Sequence, residues 1–92
     1  MEPLDQSARP RRAEGTHARA LADERIVYDP ATHQVVVLNE TAAFILDQCD
    51  GSRSVGELLA ALERRYAAPR TQLAADLART LADLRARKLV AE

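Results

Sequence analysis

The spacing of hydrophobic residues along the chain changes at Asn39. The five residues before it, Gln34–Leu38 (QVVVL), include four consecutive apolar side chains, three of them β-branched, a composition typical of a short strand. After Asn39 the apolar residues recur every three or four positions, which indicates a helix. Because an asparagine side chain can accept a hydrogen bond from an unpaired amide of the first helical turn, we predict that the strand ends and the helix begins here.

Two more strands are predicted before this one. In residues 25–29 (RIVYD), Val27 points to one face and its two apolar neighbours point to the other, which is the alternation of a strand. A shorter strand is predicted at residues 18–21. The stretch 29–33 (DPATH) is predicted to be a tight turn, since Pro30 fixes φ and the aspartate before it can bond forward to the backbone.

Three helices are predicted after the strands. Gly51 suits the left-handed position that closes the first helix. Ser54 and Glu57 form an S-x-x-E capping box that starts the second. Pro69 then breaks the chain, and Thr71 opens the third. The residues predicted to face the core are Ala42, Ile45, Leu46 and Cys49 in the first helix, Val55, Leu58, Leu59, Leu62 and Tyr66 in the second, Leu73, Leu77, Leu81 and Leu84 in the third, and Leu89 or Val90 near the end. Three strands followed by three helices predict a small α+β domain of winged-helix type, with a three-stranded antiparallel sheet.

The composition indicates one aliphatic core. Of 92 residues, 47% are hydrophobic but only 3% are aromatic, and a chain of this length is expected to form one domain. Charged residues make up 29% of the chain and nearly cancel, to a net charge of -1. A nucleic-acid-binding protein normally carries a basic surplus, so we predict no nucleic-acid partner.

The first 15 residues are predicted to differ from the rest. Residues 1–15 contain two prolines, one glycine and the basic side chains Arg9, Arg11 and Arg12, with little to bury, so we predict a disordered N-terminal arm that folding does not require. Residues 16–92 are the predicted domain. One cysteine cannot form an intramolecular disulfide, and the sequence shows neither an apolar signal segment nor a run of about 18 apolar residues, so we predict a cytoplasmic protein without a membrane partner.

Side chains suited to catalysis or metal binding are sparse. His17 and His33 lie in or beside irregular segments, without a cysteine or carboxylate at metal-ligand spacing. Cys49 lies on the apolar face of the first helix, where a thiol acts as a small hydrophobe. The glycines, at positions 15, 51 and 56, do not form a phosphate-binding loop. We therefore predict no enzymatic activity, no cofactor and no metal.

Five segments carry a resemblance to a known family. They are L-N-E-T-A-A-F-I-L (38–46), Cys49-Asp50-Gly51, SVGEL (54–58), ERRY (63–66) and L-A-D-L-R-A-R-K-L-V (81–90). Together they resemble the PqqD-like family, the pyrroloquinoline-quinone biosynthesis protein D family, over roughly residues 17–91. The resemblance implies a three-stranded sheet with three helices. It also implies a RiPP recognition element, a peptide chaperone that binds the leader of a ribosomally made precursor and presents it to a modifying enzyme, often a radical SAM protein.

The resemblance implies that the leader binds as an added antiparallel strand beside the third predicted strand and the third helix. Residues 35–38 alternate sides, so both faces of this strand are apolar and the face away from the helices needs a cover. A bound peptide would supply it, and the alternatives are the chain's own arm or a second copy in a weak homodimer. On the third helix an alanine flank would leave a groove for large leader side chains, although alanine is also a good helix former. The predicted peptide-binding residues are Gln34, Val35, Val36, Val37, Leu38, Ala74, Leu77, Ala78 and Leu81.

The sequence also leaves other functions open. Members of the quinone pathway typically carry a longer stretch with a Tyr-Pro-Glu-like element where this chain has only DPATH, which favours a different modified-peptide pathway. One alternative is a DNA-binding winged helix, but the outer face of the third helix mixes acidic and basic side chains. Another is a regulatory subunit that docks to an enzyme through Arg64 and Arg65.

Overall fold

The computed structural model describes residues 6–91, which form short strands around a group of three helices. The elements are β1 (Arg11–Arg12), β2 (His17–Leu21), β3 (Glu24–Asp29), β4 (Gln34–Leu38), α1 (Glu40–Gln48), α2 (Val55–Arg65), α3 (Arg70–Ala86) and β5 (Val90–Ala91). Strands β2, β3 and β4 form an antiparallel sheet and precede the helices, which confirms the predicted α+β order. Within residues 6–91, none of the helices combines the length and the apolar character needed to cross a bilayer.

The three-stranded sheet is built from two hairpins that share β3. A two-residue turn, Ala22-Asp23, joins β2 to β3, and Ala22 has a φ of 55°, the positive value that tight hairpin turns require at their first position. Residues 30–33 join β3 to β4, and there the N–H of Ala31 donates to Asp29 Oδ1 at 3.0 Å. This confirms the predicted turn and the aspartate that bonds forward within it.

The predicted helix signals are confirmed at α1 and α2. Asn39 Oδ1 accepts a hydrogen bond from the Ala42 N–H at 2.9 Å, so β4 passes into α1 through a single residue. Ser54 and Glu57 form the predicted capping box at the start of α2, with hydrogen bonds of 3.2 and 2.9 Å. Beyond the end of α1, Gly51 takes a φ of 83°. Helix α3 begins one residue earlier than predicted, directly after Pro69.

The core lies between the helices and the inner face of the sheet, defined here as the face that carries Val27, Val36 and Leu38. The leucine stripe predicted for α3 is buried along its length, and so are both Leu89 and Val90. In α1 the prediction is shifted at one position, since Ala43 is buried and Ala42 only partly so. The core residues are Val27, Val36, Leu38, Ala43, Ile45, Leu46, Cys49, Val55, Leu58, Leu59, Leu62, Leu73, Leu77, Leu81, Leu84, Leu89 and Val90.

One ion pair ties the sheet to α1. The two terminal nitrogens of Arg25 donate to the two carboxylate oxygens of Asp47 at 2.5 and 2.9 Å. This bidentate bond raises the pKa of Arg25. Because β3 carries Arg25 and α1 carries Asp47, the pair fixes the corner of the sheet nearest the β2–β3 turn against the first helix.

Residues 8–13 pack against the domain, which differs from the disordered arm predicted for residues 1–15. Strand β1 pairs with β5 at the other end of the chain, and Pro10 is buried. Backbone bonds continue on either side, from the Val55 N–H to the Ala8 carbonyl at 2.8 Å and from the Ala13 N–H to the Leu89 carbonyl at 2.9 Å. These contacts are main-chain pairings, which leave no mark on hydrophobic spacing. Residues 1–5 of the predicted arm lie outside the described residues.

We predict that removing this segment destabilises the fold. A chain that begins at residue 14 loses the β1–β5 pairing and five further backbone hydrogen bonds between residues 6–13 and other parts of the domain. At about 0.5–1.5 kcal/mol each, loss of the five alone should lower the free energy of unfolding by about 2.5–7.5 kcal/mol. In a domain of this size that is a fall in Tm of roughly 10 °C or more. Calorimetry against a chain that begins at residue 6 checks this, and a difference below about 3 °C would show that the segment is dispensable.

The single cysteine is a core residue, as its place on the helix predicted. Cys49 is 3% exposed, and its Sγ lies 3.2 Å from the Ile45 carbonyl oxygen. Burial raises the pKa of the thiol to about 11, so it is neutral at physiological pH. A neutral, enclosed thiol is a poor nucleophile.

We predict that Cys49→Ala costs about 1 kcal/mol of stability near pH 7, through the small cavity it leaves. The order of stability should then reverse in alkali. The thiol pKa is about 11 in the folded chain and about 8.5 in an unfolded one, so the wild-type chain loses stability as pH rises between these values. That loss is on the order of 2 kcal/mol by pH 10, and it is absent from the alanine variant. Denaturant unfolding of both proteins at pH 7 and pH 10 measures the difference; parallel pH profiles would contradict the assignment.

Candidate functional site

Strand β4 lies at the edge of the three-stranded sheet, and its side chains divide sharply between two environments. Val36 and Leu38 point into the core and are 5% and 4% exposed. Val35 and Val37 point the other way and are 61% and 58% exposed. Among the described strands β4 pairs only with β3, so its second edge carries no partner strand. The strand predicted to bind a peptide is therefore available for pairing.

The register of the first hairpin determines where the main-chain groups of β3 point. Opposite residues in an antiparallel ladder alternate between pairs that exchange hydrogen bonds and pairs that do not. Leu21 and Glu24 flank the two-residue turn, so they form a hydrogen-bonded pair. Counting along β3 in steps of two, Ile26 and Tyr28 also direct their N–H and C=O groups toward β2. The residues between them must therefore bond to β4.

The same alternation identifies the free main-chain groups of β4. Val36 lies opposite Val27 and exchanges hydrogen bonds with it, whereas Val35 and Val37 lie opposite Tyr28 and Ile26, whose groups are directed to β2. The N–H and C=O groups of Val35 and Val37 consequently point to the open edge. We call these two residues the free-edge pair. The sequence alone does not show which valines have outward amides, and the register does.

A groove of approximately 530 Å³ lies between this edge and α3. Its size is within the range of about 300–1,000 Å³ that is typical of ligand-binding clefts. At the start of β4, the Gln34 Nε2 donates to the Arg87 carbonyl oxygen at 2.9 Å and so joins the strand to the end of α3. The groove is lined by Val37, Leu38, Asn39, Thr41, Ala42, Asp76, Arg79, Thr80, Asp83 and Leu84.

The helix wall of the groove is polar and its charges are paired. Arg79 donates to Asp76 at 2.6 Å, and Arg87 donates to both carboxylate oxygens of Asp83 at 3.1 Å. These exposed pairs add little stability, about 0–1 kcal/mol each, but they leave the wall without a large net charge. Of the apolar residues that line it, Leu38 and Leu84 are buried by the core, whereas Val37 is 58% exposed. The groove thus offers both hydrogen-bonding groups and apolar surface.

The structure separates the side chains that the sequence offered for chemistry. His17 starts β2, His33 lies in the β3–β4 turn with a φ of 58°, and Cys49 is in the core. Within residues 6–91, no group of three histidine, cysteine or acidic side chains is arranged to hold a metal ion.

The structure places the predicted peptide-binding residues of the strand at the open edge, but it places those of the helix away from the groove. Residues 34–38 form the edge strand, as predicted. On α3, Leu77 and Leu81 are completely buried in the core, and Ala74 and Ala78 do not line the groove. The groove wall lies on the other flank of the leucine stripe. A helix turns about 100° per residue, so the alanines follow the stripe by one position, whereas Asp76, Thr80 and Asp83 of the wall precede it by one. The groove residues that the sequence analysis did not select are Asn39, Thr41, Ala42, Asp76, Arg79, Thr80, Asp83 and Leu84.

Arg65, half of the predicted enzyme-docking patch, is engaged within the domain. Its guanidinium carbon lies 4.9 Å from the centroid of the Phe44 ring, and its Nη2 is 3.8 Å from a carboxylate oxygen of Glu40. A hydrogen bond to the Tyr66 hydroxyl raises the pKa of Arg65. These contacts describe a side chain that braces α2 against α1.

Two solved structures share this fold. One is described as TbiB1 in complex with the TbiA(beta) leader peptide; it is 18% identical in sequence, with a TM-score of 0.78 over 87% of this chain and 93% of that one. The other is described as lasso peptide synthetase B1 complexed with the leader peptide; it is 20% identical, with a TM-score of 0.79 over 92% of this chain and all of that one. At this identity the likeness establishes the fold alone.

Sequence comparison identifies the family. A protein of Bradyrhizobium diazoefficiens named PqqA binding protein is 39% identical over 54 residues, which are 59% of this chain and 52% of that protein. The match therefore spans about half the length of that relative. The family model described as Coenzyme PQQ synthesis protein D (PqqD) matches residues 24–90, from the first residue of β3 into β5. The resemblance in the sequence motifs is confirmed, and this chain belongs to the PqqD family.

Proposed function

We propose that this protein is a non-catalytic peptide chaperone that binds the leader of a ribosomally synthesised precursor by strand addition. The observation that carries the proposal is the free-edge pair, two valines whose main-chain groups point out of the sheet beside an open groove. The bound leader is then presented to a modifying enzyme, a radical SAM protein in this proposal. Both partners would be met in the cytoplasm, where a lone reduced thiol is ordinary.

Strand addition at this edge has a defined geometry. A leader segment antiparallel to β4 places one residue opposite Val35 and another, two positions away, opposite Val37, and each exchanges an N–H···O bond in both directions. The residue between them lies opposite Val36, and its side chain points to the inner side, toward the groove and α3. Four main-chain bonds can therefore form whatever the sequence of the peptide, and the choice of register is left to its side chains.

Two kinds of observation support the proposal, one from the comparisons and one from the structure. The relative at 39% identity is named for binding PqqA, and both solved structures of this fold are complexes with leader peptides. The described residues contribute no metal cluster, and the one thiol is buried and neutral. A binding module that leaves the chemistry to a partner enzyme fits both observations.

The other functions suggested by the sequence have less support. A winged helix that binds DNA needs unpaired basic side chains to meet phosphates, but the exposed charges of α3 include the pairs Asp76–Arg79 and Asp83–Arg87. Docking through Arg64 and Arg65 would compete with the contacts that Arg65 already makes with Phe44 and Glu40.

We predict that proline at the free-edge pair strongly weakens leader binding without unfolding the domain. Proline lacks an N–H, and at Val35 or Val37 the lost donor is one that points outward, so the β3–β4 ladder is kept. The affinity of Val35→Pro and Val37→Pro for the synthetic leader of the precursor encoded beside this gene should fall by on the order of 2 kcal/mol, roughly 30-fold. Isothermal titration calorimetry measures the affinity, and circular dichroism confirms the fold.

Two controls separate main-chain pairing from other effects. Val37→Ala keeps the amide and should bind more tightly than Val37→Pro, whereas Val36→Pro removes a bond to β3 and should lower Tm instead. If a proline variant does not fold, N-methylation of the leader at successive residues tests the same bonds from the other side, and the losses should fall on alternate positions. Folded proline variants that bind the leader like the wild-type protein would refute strand addition at β4.

A further inference from the structure

We infer that the face of the sheet turned away from the helices selects the leader, and that it selects segments with apolar side chains at two alternate positions. We call the patch formed by Ile26, Tyr28, Val35 and Val37 the outer patch. The ligand class is an extended segment of the form apolar–any–apolar, in which the two apolar residues are β-branched or aromatic. This inference rests on the proposed function. It adds which side chains of the leader the protein distinguishes, and which surface of the protein contacts them.

The most exposed apolar side chains next to the free edge belong to the outer patch, and one of them, Val37, also borders the groove. Val35 and Val37 are 61% and 58% exposed and Tyr28 is 37% exposed, whereas Leu38 and Leu84 beside the groove are 4% and 0% exposed. Free energy from burying apolar groups scales with the area removed from water. Contact with the outer patch therefore removes more apolar area from water than contact with Leu38 and Leu84, which the core already covers.

The register places the leader's side chains on that patch. Opposite residues in a sheet carry their side chains on the same face, so Tyr28 and Val35 form one row and Ile26 and Val37 form the next. A leader residue bonded to Val35 extends the first row, and one bonded to Val37 extends the second. Each new side chain then lies about 4.5–5.5 Å from a valine, measured between Cβ atoms.

Continuity with the free edge identifies the occupant as the leader. The two valines with outward main-chain groups are the same two whose side chains are most exposed on the patch. A peptide that forms the four main-chain bonds cannot avoid placing two side chains beside them. An apolar edge strand is also a liability unless something covers it, and natural proteins usually protect such edges with charge.

The test uses a pair of conservative substitutions and a matched control. The double variant Val35→Thr/Val37→Thr keeps β-branching and shape but replaces a methyl on each residue with a hydroxyl, and it leaves every amide in place. Leu21→Thr is the control, because Leu21 lies on the same face and is 55% exposed but belongs to β2, away from the free edge. The probe is the synthetic leader of the precursor encoded beside this gene, titrated calorimetrically into each full-length protein.

We expect the double variant to bind about fivefold to tenfold more weakly, the effect of weakening two cross-strand apolar contacts, and the control to bind like the wild-type protein. In the reciprocal experiment, threonine substitutions along the leader should weaken binding at two positions separated by one. Methyl–methyl contacts observed by NMR should connect those two positions with Val35 and Val37.

The outcomes separate this inference from the proposal beneath it. Unchanged affinity in the double variant, with loss in Val37→Pro, overturns the outer-patch inference and leaves strand addition standing. Retained binding in a folded Val37→Pro overturns both. Unchanged leader affinity together with slower modification by the partner enzyme assigns the patch to the enzyme, and a change in sedimentation of the free protein assigns it to a second copy. Either of the last two results also overturns the inference.

Discussion

A strand residue directs its N–H and C=O to the same side, and that constraint determines what β4 can do. Strand β3 directs the main-chain groups of alternate residues to its two neighbours, in an order that the two-residue turn at Ala22-Asp23 sets. Given that order, the N–H and C=O of Val36 bond to β3, and those of the valines on either side point outward. A turn at the far corner of the sheet thereby decides which amides face the groove.

The groove exists because β4 and α3 are joined at their ends and held apart between them. The leucine stripe of α3 is buried against α1, α2 and the inner face of the sheet, which fixes the position of the helix without filling the space beside the edge. Asn39 starts α1 directly after the strand, so its first turn lines one end of the groove, and the Gln34–Arg87 bond joins strand and helix at the other. Core packing therefore leaves the space that a peptide can occupy.

The sequence predicted the parts of this arrangement that follow from local chemistry. The valine-rich strand, the asparagine at its end and the capping box of α2 are each specified by neighbouring residues, and all three are confirmed. The sequence left open which side of α3 lines the groove, because both flanks of a leucine stripe are equally consistent with its periodicity and only the packed helices distinguish Ala78 from Thr80. Direction of the edge amides likewise depends on register, a relation between strands that no single segment contains.

The pairing of β1 with β5 has a consequence for how this protein is made. Arg11 and its partner Ala91 lie far apart in the sequence. Everything between them must be synthesised before the two strands can meet, and contacts between such distant positions form slowly because the long loop must first be closed. Until residues 8–12 dock, the backbone groups of Cys49, Gly51 and Val55 that bond to them face water. The β1–β5 pairing therefore forms late, after the contacts between elements that are neighbours in the sequence.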